Sequence, residues 1–168
     1  MARGDFKIVT PLSDVYTKTW LVDSGTTAQA KSGEPVKLDD AAGAETGEVS
    51  IMVDGDGTTS QRWAGVCKTD STETTSAAGE VVVWMPLPGI IYSGKALTST
   101  TFDTAAEIAA LGCVRVLFDL TGTAWTIDAA ANDAVVNCIV IVGGDHHTQT
   151  VHWMYRPSGT YLDFCISV

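Results

Sequence analysis

Three histidines lie close together, at positions 146, 147 and 152, and they are the only histidines of the chain. Imidazole nitrogens bind zinc and nickel, so a metal site, shared between copies at a symmetry axis, is one interpretation. However, Gly143 and Gly144 precede them and are typical of a hairpin turn, and neighbouring side chains of an extended chain point apart. We therefore predict exposed turn residues, no metal and no other cofactor, and keep His146, His147 and His152 only as weak metal candidates.

The segment GIIYSGKA, residues 89–96, has the glycine and lysine spacing of a phosphate-binding loop up to its last residue. That motif requires Ser or Thr after the lysine to hold magnesium, and this chain has Ala96 there. The loop must also lead into a helix whose N-terminus binds the phosphate, and the following LTSTT is not a helix-forming sequence. The spacing therefore does not predict a nucleotide site.

The segment Asp54-Gly-Asp-Gly-Thr resembles the start of a calcium-binding loop. The glutamate that closes such a loop is missing, because Gly65 stands at that position. A β-turn accounts for the segment, since Asp-Gly tolerates positive φ angles. A weak surface cation site at Asp54 and Asp56 stays open as the alternative.

Residues for covalent catalysis are equally sparse. The chain has no Gly-x-Ser-x-Gly motif, and its cysteines, at positions 67, 113, 138 and 165, form no Cys-x-x-Cys pair. Three of the four cysteines lie in apolar, strand-like runs, which predicts buried free thiols. We therefore predict that the protein is not an enzyme.

The elements that carry these residues are predicted to be mainly strands. Val49, Ile51 and Val53 alternate with mostly polar residues, which predicts a half-buried strand. Residues 54–57 are expected to turn the chain into a partner strand at residues 61–68. A polar, exposed loop is expected next, followed by an apolar strand that ends near Pro86, and these occupy residues 69–79 and 80–85.

The second half predicts one helix and an antiparallel β-meander, and no internal sequence repeat is visible. Asp103 is the expected cap of a helix over Asp103–Leu111, and Gly112 ends it. Apolar residues then recur with the period of two that strands require. These are Val114, Val116 and Phe118; Trp125 and Ile127; the run within residues 133–142; Val151, Trp153 and Tyr155; and Leu162, Phe164, Ile166 and Val168.

These patterns predict a mainly β fold, a small β-barrel or sandwich with one short α-helix and a C-terminal antiparallel β-meander. We expect an extended N-terminal arm at residues 1–12 and a small barrel-like domain at residues 13–98. The helix and meander occupy residues 99–168, which either stand apart or share one core with residues 13–98.

Charge and hydropathy exclude several classes of partner. Asp and Glu number 20 against 10 Lys and Arg, for a net charge of −10. Proteins that bind nucleic acid or an anionic membrane surface need a basic face, so we predict neither partner. No apolar stretch typical of a signal peptide follows the charged N-terminus, so synthesis in a cytoplasm is expected.

One region has the motifs of a known family, in the same order along the chain. The motifs are Gly33-Glu-Pro-Val-Lys-Leu38, Arg62-Trp-Ala-Gly-Val-Cys-Lys-Thr-Asp70, a polar Thr/Ser/Ala loop, Ala78-Gly-Glu-Val-Val-Val-Trp84 and Pro88-Gly-Ile-Ile-Tyr92. Over roughly residues 30–95 the chain thus resembles the small capsid decoration, or cement, proteins of tailed bacteriophages.

The resemblance implies a structural virion protein on the outer surface of a capsid, where a homotrimer bridges major capsid subunits and reinforces the shell. It also implies an N-terminal arm that adds to a neighbouring subunit, for which the candidates are Phe6, Ile8, Val9 and Leu12. Deletion of residues 1–12 is then expected to leave the fold intact and to weaken lattice binding.

Two other functions stay open at this point. Five Trp and four Tyr either pack a core, anchor an interface or stack on carbohydrate, so a receptor- or glycan-binding virion module is the first alternative. A small metal-dependent β-barrel enzyme of the cupin type is the second, less favoured one.

Overall fold

The computed structural model describes residues 6–11, 15–22, 30–39, 47–53, 63–87, 89–98, 100, 102–112, 114–121, 124–128 and 139–155. Within these ranges the chain forms eleven strands and one helix, so it is mainly β, as predicted. The strands are β1 Lys7–Ile8, β2 Thr17–Val22, β3 Pro35–Leu38, β4 Glu48–Ile51, β5 Trp63–Cys67, β6 Gly79–Trp84, β7 Tyr92–Ala96, β8 Arg115–Thr121, β9 Ala124–Asp128, β10 Ile139–Asp145 and β11 Thr150–Tyr155. The helix α1, Ala105–Ala110, lies between β7 and β8.

The first five-stranded unit is a closed barrel in the order β2-β4-β3-β5-β6. Strand β2 pairs antiparallel with β6 along its whole length, and its last two residues, Leu21 and Val22, pair in parallel with β4. Every second side chain of β2 and β6 faces inward, since strand side chains alternate between two faces. The buried residues of this core include Trp20, Val36, Val49, Val81 and Val83.

The hairpin predicted between residues 49–53 and 61–68 is wrong for the described strands, because β4 pairs with β2 and β3 whereas β5 pairs with β3 and β6. The predicted alternation also stops early, since Met52 is buried and Val53 is 57% exposed. The strand ends at Ile51, and Met52 then turns inward as its N–H donates to the Pro35 carbonyl. The predicted turn at residues 54–57 lies outside the described residues.

The second unit contains β7 to β11 in the order β7-β11-β10-β8-β9, with β1 added at the edge of β7. A parallel pairing of β7 with β9, Lys95 opposite Thr126 and Ala96 opposite Ile127, joins the two ends into a second ring. The apolar faces predicted for β8, β9 and β11 are confirmed at seven buried positions: Val116, Phe118, Trp125, Ile127, Val151, Trp153 and Tyr155. Val114, predicted on the same face, precedes β8 and is half-buried against the core. Strand β10 pairs with β8 and not with β9, and the predicted strand at residues 162–168 lies outside the described residues.

The two rings have the same topology. In each, the first and third strands are parallel, and the antiparallel neighbours are first with fifth, fifth with fourth, fourth with second, and second with third. Leu21 of β2 and Lys95 of β7 hold equivalent positions, because each is the first residue of its strand that pairs with the third strand of its ring, and each also pairs with the fifth. The chain is therefore a structural duplication, although its sequence shows no repeat.

The duplication is hidden because equivalent inward positions carry side chains of very different size. Trp20 of the first ring corresponds to Gly94 of the second, one residue before Leu21 and Lys95. A Cβ on Gly94 would lie 2.6 Å from the Phe6 ring, so Phe6 occupies the space that a side chain at position 94 would take. The second ring thus receives from Phe6, the residue before β1, the aromatic ring that the first ring carries on its own first strand.

One apolar core connects the two rings. Trp63 of β5 belongs to the first ring, yet its ring lies among aromatic rings of the second. The distances between ring centroids are 5.4 Å to Trp153, 5.6 Å to Phe118, and 5.8 Å to Tyr92 and to Tyr155. Met52 and Val66 are buried in the same cluster, so the two rings pack as one body.

The helix is shorter than predicted, and its cap is Thr104 and not Asp103. The Thr104 hydroxyl accepts from the Glu107 N–H, and the Glu107 carboxylate accepts from the Thr104 N–H, which makes a capping box. Ile108 and Leu111 pack against the shared core, which is how so short a helix is held.

Candidate functional site

The N-terminal strand is part of the chain's own sheet, which differs from the predicted free arm. Phe6 is 2% exposed, and its ring lies 5.1 Å from Phe118 and 5.2 Å from Trp153 between centroids. Ile8 pairs with Tyr92. Val9 is 46% exposed, and its N–H donates to the Ile91 carbonyl.

Phe6 and Ile8, which were predicted to contact a neighbouring subunit, are therefore part of the chain's own core and sheet. Phe6 fills the space above a glycine, and its N–H donates to the Gly33 carbonyl, so this residue helps to hold the fold. Deletion of residues 1–12 removes that ring and is now expected to destabilise the protein. Leu12, the last arm candidate, lies outside the described residues.

We predict that Phe6→Ala lowers the free energy of unfolding by about 3–5 kcal/mol, because it opens a cavity over Gly94. Thermal and urea unfolding would measure the change. Val9→Ala is the matched control on the same segment, and a small effect is expected because Val9 is largely exposed. Equal stability of Phe6→Ala and the unchanged protein would show that the ring does not hold the second barrel together.

The histidines lie at the hairpin of β10 and β11 but do not converge on one point. Gly143 and Gly144 belong to β10, so the turn comes later than predicted, at residues 146–149. The rings of His146 and His147 lie 3.9 Å apart between centroids, whereas His152 stands along β11 opposite Gly143. In the part of the chain that the structure describes, no three His, Cys, Asp or Glu side chains are grouped to hold a metal ion.

Asp145 organises this turn. Its carboxylate accepts from the Thr148 hydroxyl at 2.9 Å and from the His147 N–H at 3.0 Å. These hydrogen bonds hold the pKa of Asp145 below its ordinary value, so the carboxylate is charged at neutral pH. The arrangement is an Asx turn that shapes a hairpin, which is a structural role.

The segment with phosphate-loop spacing is a strand in the structure. Tyr92–Ala96 forms β7, which pairs with β1, β9 and β11, and Gly94 is covered by Phe6. The backbone of this segment is therefore engaged in strand pairing and does not form a phosphate-binding loop. The candidate cation site at Asp54 and Asp56 lies outside the described residues.

The loop at residues 69–79 is less exposed than predicted, because Ser71 and Glu73 are buried. The Ser71 N–H and hydroxyl both donate to the Ala30 carbonyl. Asp70 accepts from the Ser32 N–H and from Lys31, and these contacts lower the pKa of its carboxyl. The hydrogen bonds of this loop thus hold residues 30–32, which precede β3, against the barrel.

Cys67 is buried beside this loop. Burial raises the pKa of its thiol far above the ordinary value, and the nearby carboxylates of Glu34 and Glu73 add to the effect. Cys67 is a buried free thiol, and a thiol that stays protonated is a poor nucleophile. The other three cysteines lie outside the described residues.

Four of the tryptophans are buried in the core. Trp63, Trp125 and Trp153 are fully buried, and Trp20 is 4% exposed. Tyr16 is the most exposed aromatic side chain in the described ranges, at 70%.

Strand β2 presents a surface that the sequence reasoning missed. Its residues TKTWLV alternate between exposed and less exposed positions, and this period of two was the available signal. Leu21 is 50% exposed on the outer face, and its neighbours on the adjoining strands are Glu48 and Glu80. An apolar side chain between two carboxylates thus marks this face.

Neither the protein-family models, nor the curated proteins, nor the solved structures with which we compared the chain include a match. No helix in the described ranges has the length and apolar character needed to cross a bilayer.

Proposed function

We propose that this chain is a structural virion protein that binds the outer surface of a phage capsid and reinforces the shell by bridging major capsid subunits. One observation carries the proposal. The motifs that resemble decoration proteins fall on β3, β5 and β6, which are consecutive neighbours in the closed barrel. The first four of these motifs therefore lie in one continuous part of the barrel, and the last motif leads into β7.

The rigid pair of barrels supports a bridging role. Because the two rings share one core around Trp63, a force applied to one ring is transmitted to the other through packed side chains. Each ring then contacts a different capsid subunit. Contacts that are weak one by one reinforce a lattice when they are repeated at every site. In this proposal the protein acts as a homotrimer, is made in the host cytoplasm and takes its place on the completed shell.

The alternatives gain little from the structure. A glycan-binding module needs exposed aromatic faces, and among the described aromatic side chains Tyr16 is 70% exposed, whereas Trp20, Trp63, Trp125 and Trp153 lie in the cores. A cupin-like metal enzyme needs converging ligands, and the histidines of the described hairpin point to no common ion. For a capsid contact, the proposal uses the exposed Val9 and leaves Phe6 in the core.

The test is the number of copies in purified particles of the virus that encodes the chain. We predict hundreds of copies in a near-integer ratio to the major capsid protein, measured by quantitative mass spectrometry with isotope-labelled peptides from both proteins. A handful of copies would indicate a tail or fibre component and contradict the proposal. Complete absence from particles would remove any virion role.

A further inference from the structure

We propose that the edge of β2 at Thr17 and Thr19 binds an extended, cationic segment of another protein as an added antiparallel strand. We call these two residues the β2 edge. The inference concerns a surface of the first barrel and does not depend on the capsid proposal.

The backbone directions identify the edge. The Met85 N–H donates to the Tyr16 carbonyl, so Tyr16 directs its backbone groups toward the side of β6. Since these directions alternate along a strand, Thr17 and Thr19 direct theirs to the opposite side. On that side β4 pairs only with Leu21–Val22. In the ranges that the structure describes, no strand lies opposite Thr17 and Thr19.

The second barrel shows what such an edge binds. By the equivalence of Leu21 and Lys95, the counterparts of Thr17 and Thr19 are Ile91 and Ser93. These positions are covered by β1 and the residues after it. Lys7 lies opposite Ser93, and the Val9 N–H donates to the Ile91 carbonyl at 2.8 Å. The same chain thus demonstrates strand addition at one of two equivalent edges.

Side chains around the β2 edge define the chemistry of the partner. Trp20 fills its own barrel, so the inserted strand needs a small inward residue where β1 has Phe6. Glu48 pairs with Leu21 on the same side of β2 as the added strand, so its carboxylate is within reach of a long side chain opposite Thr19, whereas Glu80 adds negative charge from β6 on the far side of Leu21. The chain carries a net charge of −10. Outward lysine or arginine side chains therefore complement this edge.

The probe is the acetylated and amidated peptide AKIKTP, which is residues 6–11 with Phe6→Ala and Val9→Lys. Its two lysines are expected opposite Thr19 and Thr17, in the register that β1 uses on β7. Titration into the full chain, followed by amide NMR, is expected to shift the signals of Thr17 and Thr19. Their hydrogen exchange, fast in the protein alone, is expected to slow at saturation. The peptide AEIETP is expected to bind at least about tenfold more weakly.

Two backbone changes test the pairing itself. Thr19→Pro removes the outward N–H and is expected to weaken peptide binding about tenfold, whereas Thr19→Val keeps that N–H and is the matched control. N-methylation of the first lysine of AKIKTP removes the corresponding peptide N–H, so the test does not depend on the folding of Thr19→Pro. Equal binding of the methylated peptide would overturn the proposal. Strong protection of the Thr17 and Thr19 amides in the protein alone would overturn it as well, since the edge would already be covered.

Discussion

Replacement of Trp63 by alanine is expected to destabilise both barrels together, with a loss of about 3–5 kcal/mol in the free energy of unfolding. Trp63 belongs to a strand of the first barrel, but its side chain packs among four aromatic side chains of the second. Its removal opens a cavity at the junction of the two rings. Because small domains have a total stability of only about 5–15 kcal/mol, this loss is a large fraction of the whole.

Calorimetry and urea unfolding followed by two probes would measure the effect. The unchanged protein is expected to unfold in one transition, because its rings share one core. Trp63→Phe keeps a ring in the cavity and is expected to cost clearly less, and Tyr16→Ala, at an exposed aromatic position, serves as the surface control. If Trp63→Ala left the midpoint unchanged, the shared core would not be what joins the rings.

Gly65→Ala is the second change with a large expected effect, and we predict a loss above about 4 kcal/mol or failure to fold. Gly65 lies in β5 with a φ of +135°, and a Cβ there would lie 2.1 Å from the Trp84 carbonyl oxygen. The contact is with backbone atoms of β6, so relief requires the two strands to move apart. The closed barrel does not permit that movement without loss of the β5–β6 pairing.

Gly89→Ala is the matched control, because Gly89 also has a positive φ, +86°, but nothing lies within 4 Å of the Cβ position. It is expected to cost about 1 kcal/mol, which is the price of the backbone conformation alone. We compare the stability lost by the two variants, measured by urea unfolding or by the yield of folded protein. The difference is the cost of the steric clash where β5 and β6 approach closely. Similar effects for both would contradict the packing inferred at Gly65.

The strand faces of the second half were predictable because each is a local pattern. Trp125 and Ile127 lie on either side of a polar residue, Val151, Trp153 and Tyr155 alternate with His152 and Met154, and all five predicted inward residues are buried. The pattern failed at Met52, where the strand ends and a loop residue turns into the core. It also missed Thr104 as the cap, since Asp103 and Thr104 are both good N-cap residues and only the fold chooses between them.

The candidate site was harder to predict than the strands. Phe6 and Val9 belong to one short apolar segment, yet one is buried over Gly94 and the other is exposed. No local rule distinguishes them, because the space that Phe6 fills is created by a glycine far away in the sequence. The β2 edge is a further case, since it becomes visible only when the pairing partners of β2 are known.

By itself, the sequence determined the mainly β class, the position of the single described helix and the inward faces of several strands. These follow from the period of side chains along one strand and from local caps and turns, which are properties of neighbouring residues. Only the tertiary structure decided which strands pair, that two rings share one topology, and that Phe6 and Trp63 pack in the same core. Such features depend on backbone hydrogen bonds and volumes matched between distant residues, as Gly94 is matched to Phe6, and no local pattern records them.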